Sequence, residues 1–205
     1  MTPSASRRLA FFAAIVIAVA DAALKFVHPS VVLAGALDEP AHAATTVLLL
    51  AALGWPLGRR FAVAAVIASV AIDLDHIPHY LGTRFLTAGT HRPYTHSWVT
   101  PAFFALLAVM LRGRWRAIAL GAELGLIGHL FRDMAEPGTT TGVPLFWPFS
   151  DASLRLPYLV YALVMAAALV ATIMRARAAR SVRSRPVSPG TTGNREHATS
   201  RSPTV

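Results

Sequence analysis

The stretch Asp73-Leu74-Asp75-His76-Ile77-Pro78-His79 closes an apolar run, residues 61–72, that contains no charged side chain. Two carboxylates and two imidazoles so close together are hard to explain as packing, because unpaired charge at the end of an apolar helix is costly. Helical geometry places Asp73, His76 and His79 three residues apart, and Pro78 is expected to loosen the helix there. We therefore interpret this stretch as half of a metal site that other segments complete.

The composition indicates a protein that lies in lipid. Of the 205 residues, 55% are hydrophobic and only 14% are charged, whereas soluble domains average roughly 25% charged residues. The chain contains no cysteine, so disulfide bonds and thiolate ligands are excluded, and any metal is held by His, Asp or Glu. The formal net charge is +9, but the arginines cluster at the ends of apolar runs. That placement favours a membrane surface over a nucleic-acid partner.

Six apolar runs predict an all-α integral membrane helical bundle with about six transmembrane helices. They cover residues 9–27, 41–53, 61–77, 98–111, 117–135 and 157–174, and residues 28–40 read as a loop. The first run is either a retained helix or a signal peptide cleaved after residues 18–20, which would leave five helices. We divide the chain into an N-terminal helix or signal segment (1–27), a membrane-embedded domain (28–174) and a basic, disordered C-terminal tail (175–205).

The distribution of basic residues predicts the orientation. If the N-terminus is cytoplasmic and each run crosses once, 14 of the 19 lysines and arginines lie on the cytoplasmic side and five on the other. This bias satisfies the positive-inside rule. It predicts a multi-pass protein of the inner membrane with both termini cytoplasmic. The second and fourth runs are short for a bilayer, and local thinning or a sunken polar pocket would reconcile their lengths. A soluble helical bundle is the alternative, which the charge bias disfavours.

Residues with metal-binding side chains from separate segments fall on the same predicted outer face. On this face the candidate metal ligands are His42, Asp73, Asp75, His76, His96, His129 and Asp133. The candidate catalytic residues are Asp75, Glu39, Arg92 and His91. Because the orientation was deduced from lysine and arginine alone, the convergence of histidines and carboxylates on one side is an independent indication of a site.

The residue types indicate which chemistry such a site would support. Neutral imidazole with carboxylate suits zinc and also manganese or iron(II). The candidates outnumber the ligands of one tetrahedral ion, so we expect one or two ions, and paired ions would lie ~3.5–4 Å apart. Asp75 or Glu39 is the expected proton acceptor. Arg92 is placed to hold an anionic group, because its fork matches phosphate oxygens, and His91 is expected to orient the substrate.

Four motifs in this order resemble the YdjM family of predicted membrane-bound metal-dependent hydrolases. They are Ile72-Asp73-Leu74-Asp75-His76, His91-Arg92-Pro93-Tyr94-Thr95-His96-Ser97, Gly128-His129-Leu130-Phe131-Arg132-Asp133 and Gly142-Val143-Pro144-Leu145-Phe146-Trp147-Pro148. The likeness covers about residues 39–157. Three features depart from the family pattern: Pro93 stands where glycine is usual, residues 139–141 form an insertion, and a helix precedes the early histidine.

The resemblance implies metal-dependent hydrolysis at a membrane. We predict a hydrolase of an ester or phosphoester, with a membrane lipid or a small phosphoester as substrate. Its expected cofactor is zinc, with manganese as the alternative. A second hypothesis is a metal-binding membrane transporter or sensor without hydrolytic activity, in which Glu123 and Asp21 form an inward relay. A third is a structural membrane protein whose histidines only pair with carboxylates. The oligomeric state is left open.

Overall fold

The computed structural model describes residues 2–27, 29–55, 57–83, 85–87, 92–137 and 141–183, without the side chains at positions 3, 31, 32, 79 and 80. Within these ranges the chain is helical and forms no strand, which confirms the all-α prediction. The helices are α1 (Pro3–Val27), α2 (Val31–Leu53), α3 (Gly58–Ala71), α4 (Ile77–Tyr80), α5 (Val99–Met110), α6 (Gly113–Asp133) and α7 (Tyr158–Arg183). A 3₁₀ turn, Ile72–His76, joins α3 to α4.

Two helices of the described chain are long and apolar enough to cross a bilayer by themselves. They are Ser4–Val27 within α1 and Tyr158–Ser181 within α7. Large apolar side chains along them face outward, for example Phe12, Ile15 and Leu163, which are 60–64% exposed. Such outward apolar surface suits contact with lipid. The six crossings expected from the sequence remain a prediction.

Three of the predicted boundaries are wrong. Helix α2 begins at Val31 rather than after residue 40, since Pro40 is accommodated inside it and removes only one backbone hydrogen bond. The predicted helix through Ile77 instead ends at Ala71 and tightens into the 3₁₀ turn. Helix α7 continues to Arg183 because residues 175–180 are alanines and arginines, which are strong helix formers. The predicted disorder therefore fails for 175–183, and residues 184–205 lie outside the described residues.

Helices α3 and α6 approach so closely that their backbones touch. A Cβ added at Gly121 would overlap the carbonyl oxygen of Phe61, and one at Gly125 would overlap that of Ala65. Small residues four apart let two helices pack in this way. One further turn along each helix, His129 Nδ1 lies 2.9 Å from the Ser69 carbonyl oxygen. The glycines thus fix the register that brings the ends of α3 and α6 together.

We expect Gly125→Ala to separate α3 from α6, because the added methyl group meets backbone rather than a movable side chain. The loss of stability should be on the order of 1–3 kcal/mol, measured as thermal unfolding in detergent. Gly35→Ala is the matched control, since nothing lies within 4 Å of a Cβ there. Its stability should be unchanged or slightly higher, because alanine favours helix over glycine. Equal unfolding temperatures for both variants would contradict the close crossing.

The bundle has an arginine-rich end and an acidic end. At the arginine-rich end, Trp55 Nε1 donates a hydrogen bond of 3.1 Å to Ser6 Oγ, and Arg175 donates one of 3.3 Å to the Leu53 carbonyl oxygen. These contacts join the start of α1, the α2–α3 turn and the last part of α7. At the opposite end the loop of residues 141–157 packs on the segment after α4, where Trp98 N donates to the Leu145 carbonyl oxygen. The metal-type residues of α2, α3 and α6 belong to this second end.

Candidate metal centre

Four side chains from three segments surround one point at the acidic end. His96 Nε2 lies 3.2 Å from His129 Nε2 and 3.1 Å from Asp73 Oδ1. His129 Nε2 is 3.6 Å from Asp73 Oδ1 and 3.3 Å from Asp133 Oδ2, which is 3.6 Å from His96 Nε2. Ligands about 2.0 Å from a tetrahedral zinc ion are about 3.3 Å from one another. The four atoms are therefore spaced as such a set requires.

The backbone of α3 sets the orientation of His129. Its Nδ1 donates to the Ser69 carbonyl oxygen at 2.9 Å, so Nε2 carries the lone pair and faces Asp73 and His96. A hydrogen bond from the other ring nitrogen is how proteins usually fix the tautomer of a metal-binding histidine. His129 is fully buried, so no water competes for its ring.

A second group lies on the 3₁₀ turn. His76 Nδ1 is 3.0 Å from Asp75 Oδ1 and 3.3 Å from Asp73 Oδ1. Asp75 Oδ2 lies 3.3 Å from His96 Nδ1. The carboxylate of Asp75 thus stands between two imidazoles, with both oxygens buried and without a hydrogen bond. Its atoms suit a cation, either as a direct ligand or by orienting His96.

A third group extends the site onto α2. The ring of His42 stacks on that of His129 with centroids 3.9 Å apart. His42 Nε2 lies 3.3 Å from Asp133 Oδ1 and 3.2 Å from Asp38 Oδ2. The two oxygens of Asp133 therefore face different histidines. This arrangement suits a carboxylate that links two neighbouring ions.

The loop before α5 brings Arg92 and His96 to the cluster. Arg92 donates hydrogen bonds of 2.7 Å to Asp133 Oδ2 and 2.8 Å to Glu136 Oε2. The ring of Tyr94 stacks on that of Trp147, with centroids 4.2 Å apart and an interplanar angle of 6°. This stacking fastens the loop to the segment after α6. The guanidinium is consequently held at the edge of the cluster.

Behind this cluster lies a buried network centred on Arg132. Its Nε and a terminal nitrogen donate to Asp38 Oδ1 at 3.0 and 2.7 Å. The same terminal nitrogen is 2.8 Å from Asp21 Oδ1, and the other donates to the Tyr161 hydroxyl at 3.2 Å. Tyr158 donates to the second oxygen of Asp21 at 2.7 Å. Asp21 thus pairs across helices rather than with Lys25, and α1 and α7 support the Asp38 carboxylate through Arg132.

Burial and neighbouring charge shift the ionisation of the loop residues. Burial lowers the pKa of an imidazole, but hydrogen bonds to Asp73 and Asp75 outweigh it and raise the pKa of His96 to about 9. Burial raises the pKa of Asp75, yet hydrogen bonding to His76 and His96 holds it below its usual value. Burial and the Asp38 charge raise the pKa of Glu136 to about 7, although Arg92 opposes this. Asp75 therefore stays ionised at neutral pH and available to a cation.

Charge and unsatisfied atoms both fit a bound cation. Six of the chain's ten acidic residues lie in the cluster, with two arginines: Asp38, Glu39, Asp73, Asp75, Asp133 and Glu136, beside Arg92 and Arg132. Several buried atoms have no hydrogen-bond partner, namely Asp75 Oδ1 and Oδ2, Glu39 Oε2, His42 Nδ1 and His96 Nδ1. Buried carboxylates in such excess call for positive charge. Oxygen and imidazole ligands without sulfur suit zinc or manganese.

The structure brings all seven predicted ligands together, in groups that could each hold an ion. Glu39 is half-buried beside the Asp73 carboxyl, and Arg92 contacts Asp133. His91 lies outside the described residues, and so does the side chain of His79.

Sequence reasoning missed Asp38 and Arg132. Asp38 was assigned to a loop, so its spacing of four from His42 carried no weight. Arg132 was counted only as a basic residue on the outer side. An arginine inside an apolar helix, next to Asp133, was the available signal.

The fold and the cluster define an all-helical membrane protein with a buried centre of histidine and aspartate. The family model described as YdjM inner membrane protein matches residues 37–189. The chain therefore belongs to the YdjM family of inner membrane proteins, as its motifs predict.

Two curated relatives carry the same description. The "Inner membrane protein YdjM" of Escherichia coli (strain K12) and that of Shigella flexneri are each 37% identical to this chain over 110 residues. These matches cover 47% of this chain and 53% of each relative, so the chain spans about half the length of the curated relatives it matches. No solved structure is significantly similar to it.

Proposed function

We propose that the protein is a membrane-bound, metal-dependent hydrolase of an ester or phosphoester, with zinc, or else manganese, at the acidic end. The observation that carries the proposal is the mutual spacing of the donor atoms of Asp73, His96, His129 and Asp133, between 3.1 and 3.6 Å. These residues would hold one ion. The flanking groups around His42 and around Asp75 with His76 would supply ligands for a second.

A divalent ion here would lower the pKa of water and neutralise charge on a phosphoryl or acyl oxygen. The protein's own residues supply positioning and proton transfer. Glu39 lies outside the groups that could hold an ion, and its Oε2 is buried without a hydrogen-bond partner. We assign it, rather than Asp75, to accept the proton. Arg92 steadies an anionic group, while Asp133 and Glu136 hold its guanidinium in place.

The rim of the cluster favours a substrate that lies in the bilayer. Large apolar side chains stand exposed beside the metal-type residues on both neighbouring segments: Leu74 (64%), Leu81 (75%) and Phe85 (80%) on one, and Phe146 (53%) and Phe149 (91%) on the other. Exposed apolar surface around a polar centre marks an interaction with lipid or protein. A lipid ester or phosphoester would reach the centre at headgroup depth, and a small soluble phosphoester is the second candidate.

Glu39→Gln tests the chemistry separately from metal binding. The variant should keep its bound metal and lose about 10²–10⁴-fold in kcat on lipid phosphoesters and esters presented in mixed micelles. Glu123→Gln is the matched control, because Glu123 lies six residues before His129, roughly 9 Å along α6.

A transporter or sensor predicts the reverse pattern for these two variants. In that case Glu123→Gln would abolish metal uptake into vesicles, and no hydrolysis would depend on Glu39. Asp21, the other relay candidate, is held by Arg132 and Tyr158, which favours a supporting role for it. Loss of bound metal in Glu39→Gln would remove the assigned role of Glu39.

We further propose that both termini are cytoplasmic, with the acidic end facing the opposite side. The support is the clustering of arginines at the end where α1 starts and α2, α5 and α7 finish. Because the chain has no cysteine, single cysteines report the topology directly. Asp151→Cys should react with an impermeant maleimide in intact cells, whereas Arg112→Cys should react only after permeabilisation. The opposite pattern would invert the topology.

A further inference from the structure

A long apolar groove runs along the bundle on the side away from α1 and α7. Helices α3 and α5 both pack against α6, and the space between them has a volume of about 1170 Å³. Its walls include Val63 and Ile67 of α3 and Phe104 of α5, over a floor of small residues that includes Ala117 and Ala122 of α6. The groove is separate from the candidate metal centre, whose ligands do not line it.

One end of the groove is strongly basic. Arg59 and Arg60 at the start of α3 and Arg114 at the start of α6 line it, and no acidic side chain does among the described residues. The Arg114 guanidinium lies 5.2 Å from the centroid of the Trp115 ring, and that ring is half-exposed. Tryptophan beside arginine is typical of the headgroup level of a membrane. A ligand for this groove therefore has a long apolar tail and an anionic head.

We propose that the groove binds an anionic phospholipid of the leaflet at the arginine-rich end, with its phosphate on the three arginines and an acyl chain between α3 and α5. Charge argues against two other occupants. A second copy packed side by side in the membrane would bring the same arginines together. The C-terminal residues 184–205 carry three arginines, one glutamate and few apolar side chains, so they offer neither the charge nor the apolar surface.

This inference goes beyond the hydrolytic site, and it uses the proposed orientation, in which the arginine-rich end faces the anionic cytoplasmic leaflet. The lipid would act as a structural partner that fills the gap between α3 and α5. The metal centre lies at the other end of α3 and α6. Lipid binding and metal content can therefore be lost independently of each other.

Native mass spectrometry of the full chain, released from detergent with phosphatidylglycerol or phosphatidylcholine of identical acyl chains, tests the proposal. The wild type should retain one phosphatidylglycerol and bind phosphatidylcholine much more weakly. Replacing Arg59, Arg60 and Arg114 by Gln should weaken phosphatidylglycerol binding about fivefold per residue and about a hundredfold together. The matched control replaces Arg7, Arg8 and Arg112 by Gln, which removes the same charge at the same end without touching the groove. This control should bind phosphatidylglycerol as the wild type does.

A second variant, Ala68→Phe, fills the groove without changing its charge and should also lose the bound phosphatidylglycerol. Both groove variants should keep their metal content, which shows that they fold. Equal binding of the two lipids by the wild type would overturn the proposal. So would an equal loss in the control triple variant, or a dimer whose interface covers the groove.

Discussion

Replacing His129 by Ala, or Asp133 by Asn, is expected to abolish tight metal binding. Each residue contributes an atom to the central set, and both are buried, with 0% and 1% exposure. Loss of a direct ligand should exceed the 10–100-fold loss typical of groups that only orient ligands, so we expect a decrease in zinc affinity of about a hundredfold or more. Competition with a chromophoric chelator measures it.

The control for Asp133→Asn is Asp151→Asn, an identical change on an exposed loop residue. Its zinc affinity should equal that of the wild type. Asp133 also pairs with Arg92, so circular dichroism must show that Asp133→Asn retains its helices. Wild-type affinity in a folded His129→Ala variant would mean that the central set does not bind the metal.

Arg132→Met is expected to destabilise the protein more than any surface substitution. The change removes a guanidinium that is 1% exposed and leaves Asp21 and Asp38 buried without their shared cation. Breaking a buried ion pair from one side costs about 3–5 kcal/mol. For a chain of this size that lowers the unfolding temperature by on the order of 10 °C. Arg155→Met, an exposed arginine changed in the same way, should leave it unchanged.

A compensating variant separates charge from packing. Combining Arg132→Met with Asp21→Asn and Asp38→Asn removes the orphaned charges, and this should restore much of the lost stability, because neutral replacement of a buried ion pair is often tolerated. If the triple variant unfolds at the temperature of Arg132→Met alone, the network stabilises through shape rather than through charge. Metal affinity in this variant is expected to fall as well, since Asp38 contacts His42.

Helix type and the location of the site follow from local sequence, because apolar periodicity and arginine placement are local signals. Asp73 and His129 illustrate this: each ends an apolar run, and the positive-inside rule alone placed both on one side. Their separation in space depends on the α3–α6 crossing, which Gly121 and Gly125 set through backbone contact. That contact is visible only in three dimensions.

Other features depend on interactions that sequence patterns do not carry. Helix α2 continues through Pro40 because the acidic residues before it find partners on other helices, such as Arg132 for Asp38. The 3₁₀ turn that aligns Asp73, Asp75 and His76 has no spacing rule of its own. Tertiary contacts in both places override local propensity.

The central claim is that side chains from α2, the 3₁₀ turn, the loop before α5 and α6 bind a divalent metal ion together. Elemental analysis of the full-length protein, purified without chelators, tests this most directly. We predict one or two equivalents of zinc or manganese per chain, reduced to a small fraction in His129→Ala. Protein that contains no transition metal, and takes up none when zinc or manganese is supplied, would contradict the claim.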